Sequence, residues 1–338
     1  MAAAPAFLII QTAFIGDVVL ATALAEKLHH HQPEASIDFL LRKGNEDLLN
    51  GHPFLRNVIV WDKKKGKLKN LFKLIRQVRA TRYDYVINVH RFASSGLITA
   101  LSGARVTVGF DKNPLSRFFT ESKKHTLAKG VHEVQRNQTL IAEITDEHPA
   151  KPRLYPSQAD QETILKHRQR GERAISYICI APASVWFTKQ FPMEKWIAFI
   201  DQLDPGQNRV YLLGASSDKE YAEGIRSATK HSGVVNLSGT LSFLESAALM
   251  QHAVMNFVND SAPLHLASSV NAPITAVFCS TVSDFGFGPL SDRSFIVETT
   301  EPLTCRPCGL HGYKACPQGH FKCALTITNE QLLTSFRS

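Results

Sequence analysis

The sequence alternates short runs of apolar, often β-branched residues with segments of helical periodicity, and it does so in two successive parts. Five strand-like runs are predicted in each part, at residues 7–11, 37–41, 58–61, 85–89 and 106–109, and at 177–181, 210–213, 234–237, 254–258 and 274–278. Apolar strands separated by amphipathic helices are typical of parallel sheets that helices cover on both faces. The pattern therefore predicts an α/β fold with doubly wound parallel sheets.

A break separates the two parts. Residues 145–156 contain three prolines and several charges without periodicity, which indicates a linker. The chain has 338 residues, about twice the usual ~100–200 residues of a domain. We therefore predict two Rossmann-like domains, residues 1–155 and 156–338, facing a central cleft. Ligands of such sheets bind outside the carboxyl ends of the strands.

Composition excludes several classes of protein. Hydrophobic residues make up 44% and charged residues 20% of the chain, which is ordinary for a globular protein and excludes a disordered or collagenous one. The net charge of +8 favours anionic partners. No uncharged apolar stretch reaches the ~18 residues that a spanning helix needs, and no basic residues precede the apolar N-terminal run. We expect a cytoplasmic protein without a signal peptide.

The loop after the first strand, residues 11–17, carries the first candidate catalytic group. It lacks the G-x-G-x-x-G pattern of dinucleotide-binding loops. Asp17 lies at the start of the following helix, where it either caps that helix or acts as a general base at the mouth of the cleft. We expect the positive end of the helix dipole to keep this carboxylate ionised.

A loop in the second part, residues 181–189, is a candidate phosphate site. It follows a strand and offers the hydroxyls of Ser184 and Thr188 and the ammonium of Lys189. A lysine about 4 Å from a phosphate charge contributes roughly 4 kcal/mol at an effective dielectric constant of 20. The alternative interpretation is a surface loop with an exposed lysine.

Two further strand ends in the second part carry acidic residues. Asp260 and Ser261 precede a helix with Pro263 in its first turn, and free N–H groups there suit a diphosphate, while Asp260 suits sugar hydroxyls. Asp218 ends another strand and suits ribose or adenine. In each case the alternative is a simple helix cap.

Basic residues and cysteines form two further clusters. A basic stretch on an amphipathic helix is either a solvated face or a docking site for an anionic membrane or lipid; it comprises Lys63, Lys64, Lys65, Lys67, Lys69 and Lys73. Four cysteines near the C-terminus are candidates for structural zinc, for plain thiols or a disulfide, or for redox chemistry: Cys305, Cys308, Cys316 and Cys323. No nucleic-acid recognition motif is present, so we expect no nucleic-acid partner.

Taken together, these segments resemble glycosyltransferase family 9, the lipopolysaccharide heptosyltransferases, which have the GT-B architecture. The resemblance rests on segments in the same order along nearly the whole chain: Gly16-Asp17, Pro182 to Lys189 with Phe191-Pro192, Leu237 to Thr240, Asn259-Asp260-Ser261 with His265, Pro273 and the four C-terminal cysteines.

The resemblance implies a reaction and a set of residues. It implies an inverting transferase that moves a heptose or related sugar from an ADP-sugar to the lipopolysaccharide inner core, with Asp17 as the base. The donor-binding residues would be Ser184, Thr188, Lys189, Asp218, Asp260 and Ser261. Acceptor-binding residues would be Lys64, Arg117, Lys123, Lys124, His132 and Arg136. No D-x-D pair is positioned to hold a metal at the diphosphate, so no obligatory metal or cofactor is expected.

Two alternatives remain at this stage. One is a GT-B nucleotide-sugar epimerase, which would consume donor without acceptor. The other is a non-catalytic module that binds a nucleotide or anionic lipid. The resemblance also implies peripheral contact with the inner face of the cytoplasmic membrane, where the anionic acceptor resides.

Overall fold

The computed structural model describes residues 4–64, 67–168 and 176–337. The chain divides into two compact units, Met1–Tyr155 and Pro156–Ser338. Each unit contains one six-stranded sheet in which every pair of neighbouring strands is parallel. No helix in the described parts of the chain is long and apolar enough to cross a membrane.

The sheet of the first unit has the strand order β3-β2-β1-β4-β5-β6. Its strands are β1 (Ala6–Ile10), β2 (Ser36–Arg42), β3 (Leu55–Trp61), β4 (Tyr85–Asn88), β5 (Val106–Phe110) and β6 (Glu121–Lys123). The helices of this unit are α1 (Ile15–His31), α2 (Lys67–Thr81), α3 (Ala93–Ala100) and α4 (Glu133–Gln138).

The sheet of the second unit has the strand order β12-β11-β10-β7-β8-β9. Its strands are β7 (Ser176–Ala181), β8 (Asn208–Leu212), β9 (Val234–Asn236), β10 (Met255–Asn259), β11 (Ile274–Phe278) and β12 (Ser294–Glu298). The helices are α5 (Gln158–Arg168), α6 (Met193–Ile200), α7 (Lys219–Ala228), α8 (Phe243–Gln251), α9 (Ala262–Ser269), α10 (Lys322–Leu325) and α11 (Asn329–Arg337).

Local sequence explains most of these elements. β10 and β11 are buried along their whole length, as expected for central strands covered by helices. The Ser242-x-x-Glu245 sequence predicts a capping box, and α8 begins there: Glu245 N donates to Ser242 Oγ (3.1 Å) and Ser242 N donates to Glu245 Oε2 (2.7 Å). The predicted α/β fold with doubly wound parallel sheets is confirmed.

Several elements differ from the prediction. The edge strands β6 and β12 were not predicted. β6 (Glu-Ser-Lys) has no apolar pattern and forms only by pairing with β5, whereas β12 contains the apolar run Phe295–Val297 and pairs with β11. The sequence pattern predicts a helix over residues 134–144, but α4 ends at Gln138. It also predicts a helix over residues 161–170, which corresponds to α5, and residues 169 and 170 lie outside the described residues. α11 was missed as well; it packs near β11, where the Ser335 and Thr275 hydroxyls share a 2.8 Å hydrogen bond.

The strand order reverses once in each sheet, and this reversal locates the site. In the first unit, β2 and β4 lie on opposite sides of β1. In the second unit, β8 and β10 lie on opposite sides of β7. The loops that leave such neighbouring strands diverge to opposite faces and open a crevice at their carboxyl ends. The loops after β1, β4, β7 and β10 therefore lie at the crevices of the two sheets.

Candidate active site

In the first unit, the loop after β1 is fixed by neighbouring strands. Thr12 is buried, and its hydroxyl shares a 2.8 Å hydrogen bond with Nδ1 of His90, which follows β4. Lys63 Nζ, from beyond β3, donates to the Thr12 carbonyl (3.1 Å) and hydroxyl (3.0 Å). Asn45 Nδ2 donates to the Ala13 carbonyl (3.2 Å). This loop therefore presents the start of α1 in a defined position.

Asp17 lies in the first turn of α1 and does act as a cap, since its Oδ2 accepts a hydrogen bond from Phe14 N (3.1 Å). Burial, followed by the negative charge of Glu133, raises the pKa of Asp17 to about 6. The Phe14 hydrogen bond and the cation of Arg91 only partly offset this rise. Desolvation thus outweighs the positive end of the helix dipole, which was expected to keep this carboxylate ionised. A carboxylate with this pKa is still largely ionised at pH 7, as a general base must be.

Arg91 is a residue that sequence reasoning missed. Its side chain is exposed and follows His90 at the end of β4. The Arg91 charge lowers the pKa of Asp17 and also contributes to lowering the pKa of His90, which burial brings down to about 3. His90 is therefore neutral, and Arg91 is the cation beside the candidate base. A basic residue directly after a buried strand was the available signal.

The predicted acceptor residues have different surroundings in the structure. The exposed side chains are those of Lys64, Arg117 and Lys124. Lys123 forms ion pairs with Glu121 (3.1 Å) and Glu143, so its charge is already balanced. Lys65, in the same basic stretch as Lys64, lies outside the described residues.

Arg136 has an internal role, which corrects its prediction as an acceptor residue, while His132 is partly exposed and also caps a helix. The Arg136 guanidinium is buried, its Nε donates to Glu133 Oε2 (2.7 Å), and its Nη1 donates to the Val131 carbonyl (2.5 Å). The His132 ring accepts a hydrogen bond from Val134 N (3.2 Å) and so caps α4. Arg136 thus supports the Glu133 carboxylate beside Asp17.

In the second unit, the structure brings Lys189 and Asp260 together. Their charged groups are 2.7 Å apart, and the two side chains are only 14% and 8% exposed. Lys189 follows β7 and Asp260 follows the adjacent β10, so the pair bridges the crevice of this sheet. Thr281 Oγ1, just beyond β11, donates to Asp260 Oδ2 (2.6 Å). Thr281 was not among the predicted site residues, because its position depends on sheet order.

Asn259 holds the loop after β7 in place. Its buried side chain donates from Nδ2 to the Pro182 carbonyl (2.8 Å), and its Oδ1 accepts from Phe191 N (2.9 Å). Both ends of this loop are thus fastened to β10. At the start of the loop, Ser184 is partly exposed, and its backbone N–H donates to Gln190 Oε1 (3.0 Å).

Thr188 departs from its predicted role as a phosphate ligand. It is 1% exposed, and its hydroxyl accepts hydrogen bonds from Tyr313 N (2.8 Å) and Ser280 Oγ (3.0 Å). A hydroxyl buried among these partners holds the loop rather than contacting a ligand. Lys189 is therefore the polar group of this turn that lies nearest to Asp260.

The other predicted donor residues keep their places at strand ends. Asp218 Oδ2 accepts from Ala215 N (2.9 Å), so it caps the turn after β8. Ser261 is partly exposed directly before α9, and its hydroxyl donates to the Asn259 carbonyl (3.4 Å) instead of capping the helix. The first N–H groups of α9 are therefore not occupied by this side chain.

The six cysteines are free thiols. Cys305 Sγ lies 3.8 Å from His320 Nε2, and Cys308 Sγ donates to the Cys305 carbonyl. Within residues 4–64, 67–168 and 176–337, no three His, Cys, Asp or Glu side chains are grouped so that they could hold a metal ion. The disulfide considered from sequence is not formed.

Solved structures share this fold across both units. A glycosyltransferase family 9 protein from Veillonella parvula superimposes with a TM-score of 0.88 at 19% identity, covering 98% of this chain and 96% of that one. The E. coli ADP-heptose LPS heptosyltransferase II gives a TM-score of 0.81 at 19% identity, covering 98% and 97%. The fold therefore defines an α/β protein of the GT-B class.

Sequence comparison identifies the family. The model of glycosyltransferase family 9 (heptosyltransferase) matches residues 71–311, more than half of the chain, so the chain belongs to this family and is a glycosyltransferase. Among its relatives is lipopolysaccharide heptosyltransferase 3 of Escherichia coli, 28% identical over 284 residues, which are 79% of this chain and 82% of the relative.

Proposed function

We propose that this protein is an inverting heptosyltransferase that moves a heptose from ADP-heptose to the inner core of lipopolysaccharide. Its similarity to a lipopolysaccharide heptosyltransferase and to an ADP-heptose LPS heptosyltransferase supports the donor and acceptor classes. The single observation that carries the proposal is the buried Lys189–Asp260 pair at the crevice of the second sheet.

On the donor side, Lys189 supplies positive charge to the departing diphosphate. A lysine ammonium has three N–H donors. Asp260 accepts from one of them, which leaves the others for phosphate oxygens and fixes their direction. Ser184 and the first N–H groups of α9, which follow Ser261, add further donors, and Asp218 accepts from the nucleoside. Such preorganised charge is worth most where the diphosphate leaves and the anomeric carbon becomes cationic.

On the acceptor side, Asp17 takes the proton of the attacking hydroxyl. Attack on the face opposite to the diphosphate inverts the anomeric centre. A pKa of about 6 makes Asp17 a stronger base than an ordinary aspartate, while leaving it mostly ionised at neutral pH. Arg91, Lys64, Arg117 and Lys124 are the exposed cations available to an anionic acceptor.

The outer face of α2 is proposed as the contact with the anionic membrane surface where the acceptor resides. Its inner face is buried through Leu71, Leu74, Ile75 and Val78. Its outer face exposes Leu68 (69%) and Phe72 (57%) beside Lys69, Lys73 and Arg76. Apolar side chains flanked by cations are typical of helices that lie in a membrane interface.

A panel of nucleotides tests the donor class. A ligand that binds only the folded state raises its stability by RT ln(1 + [L]/Kd). We expect ADP to raise the melting temperature more than UDP, GDP or CMP at equal concentration. A larger shift with UDP would overturn the ADP-heptose assignment and leave the family unchanged.

A further inference from the structure

The segment that contains the four C-terminal cysteines, residues 305–323, lies directly against the candidate donor loop. Thr188 N donates to the Tyr313 carbonyl (3.1 Å), and Tyr313 N donates back to Thr188 Oγ1 (2.8 Å). This reciprocal pair joins positions 125 residues apart in the chain. The loop after β7 is therefore held in place by a segment that lies far from it in the sequence.

The same segment is anchored to the end of β11. Cys308 N donates to the Ser280 carbonyl (2.8 Å), and Ser280 N donates to the Thr188 carbonyl (3.2 Å). Arg306 Nε donates to the Cys279 carbonyl (2.8 Å), and its Nη2 donates to the Thr281 carbonyl (2.8 Å). The residues after β11 are thus clamped between the donor loop and the cysteine-rich segment, and among them is Thr281, which bonds Asp260.

Gly312 is the point of closest approach. It is buried with φ +74°, and a Cβ added there would lie 2.9 Å from Lys189 Cγ and 2.9 Å from Thr188 Oγ1. Side chains do not tolerate such a contact without movement, and the Lys189 stem cannot move freely because its ammonium is paired with Asp260. Only glycine lets the segment pack this closely against the lysine.

We infer that the cysteine-rich segment is a wall of the donor site, and that Gly312 is a positioning residue which sets the direction of the Lys189 ammonium. The inference rests on the proposed role of Lys189 at the donor diphosphate. It assigns to this segment a function in donor affinity that does not depend on its thiols.

The chain offers a matched control for the experiment. Gly319 lies in the same segment with φ +71°, but a Cβ there would meet nothing within 4 Å. Gly312→Ala and Gly319→Ala therefore impose the same backbone strain, and only the first displaces Lys189. We expect Gly312→Ala to raise the Kd for ADP and the KM for the donor about tenfold relative to Gly319→Ala, with the acceptor KM unchanged, because a shifted ammonium loses one charge-assisted contact.

Two variants at Thr188 test the same contact independently of Gly312. Thr188→Val removes the hydroxyl that accepts from Tyr313 N, whereas Thr188→Ser keeps it, so the first should weaken ADP binding and the second should restore it. This pair carries the test if Gly312→Ala does not fold. Equal ADP affinity in both alanine variants, or in both Thr188 variants, overturns the inference.

Lys189→Met separates this inference from the proposed function. If Lys189→Met leaves ADP affinity unchanged, the donor-site assignment itself fails. If Lys189→Met weakens ADP binding while Gly312→Ala matches Gly319→Ala, the donor site stands and only the role of the cysteine-rich segment is refuted.

Discussion

At the scale of single residues, the site depends on charged groups that folding has moved away from their ordinary behaviour. The Asp17 carboxyl group is partly desolvated and lies near the negative charge of Glu133, and both effects favour its protonated form. Lys189 and Asp260 are buried as a pair, and each makes the burial of the other tolerable. Each of these groups gives a measurable prediction.

Asp17→Asn should lower kcat by about 10²–10⁴-fold at saturating donor, because the general base is removed while the cap acceptor for Phe14 N is kept. ADP affinity should stay at the wild-type value, since the change is confined to the proposed base. Steady-state kinetics with both substrates and ADP titration measure this. Turnover close to that of the wild type would rule out Asp17 as the base.

The same substitution should stabilise the fold at neutral pH. The pKa of Asp17 rises from 3.8 to about 6 on folding, so the ionised form opposes folding once the pH exceeds about 4, and fully above about 6. Asn removes this penalty, which a shift of about two pKa units puts at about 2–3 kcal/mol. Urea unfolding at pH 7.5 should show the gain, and at pH 3.5 it should vanish; a pH-independent difference would contradict the buried-charge origin.

Activity should depend on pH through the same group. Wild-type kcat/KM should fall below an apparent pKa of about 6, as protonation removes the base. Arg91→Gln should move this limb to higher pH, because the Arg91 cation lowers the pKa of Asp17. Lys124→Gln, at another exposed cation, is the control. Identical pH profiles of kcat/KM for the wild type and Arg91→Gln would show that Arg91 does not act on Asp17.

Lys189→Met and Asp260→Asn should each destabilise the protein, by about 3–5 kcal/mol when one buried charge is left without its partner. The double variant should lose less than the sum, because neither charge remains. Chemical unfolding of the four proteins gives this coupling. Additive losses would show that the 2.7 Å pair contributes nothing to the fold.

At the scale of elements, α2 has two faces of different composition. Its inner face completes the core of the first unit, and its outer face combines two exposed apolar residues with cations. Each cation near an anionic bilayer contributes up to about 1 kcal/mol, and this contribution is screened by salt.

Leu68→Ser combined with Phe72→Ser should therefore weaken binding to phosphatidylglycerol vesicles, as measured by cosedimentation at low salt. Leu165→Ser is the control, because Leu165 is also exposed (44%) but lies on α5 in the other unit. Equal binding of both variants would exclude the outer face of α2 as the membrane contact.

At the scale of the whole molecule, each parallel sheet brings a pair of loops to its own crevice. The candidate site residues are divided between the two units. The first unit carries the candidate base and the exposed cations, and the second carries the Lys189–Asp260 pair. This division agrees with one substrate for each unit.

We propose that protein groups stabilise the negative charge on the leaving diphosphate. Sugar transfer should therefore not need a metal ion. The sequence offers no D-x-D pair for one, and Lys189 supplies the cation. Transfer rates after exhaustive EDTA dialysis should stay within about twofold of the untreated enzyme, since phosphate electrostatics come from side chains. Loss of activity that Mg²⁺ or Mn²⁺ restores would reject this mechanism.

The sequence by itself determined the alternation of strands and helices, the class of fold and the loops in which the candidate residues lie. These properties follow from periodicity and turn chemistry, which act between residues close together in the chain. The sequence also placed Asp17, Lys189 and Asp260 in loops that follow predicted strands, and the sheet order then brought Lys189 and Asp260 within 2.7 Å.

Tertiary structure alone decided which of these residues are available. Thr188, in a predicted loop, and Arg136, on α4, are both polar, but Tyr313 and Glu133 occupy their hydrogen-bonding groups. The pKa of Asp17 was likewise set by burial, and the approach of Gly312 to Lys189 by a segment more than 100 residues away in the sequence. Contacts between distant segments and the loss of water around a charge leave no local pattern, so no periodicity could have predicted them.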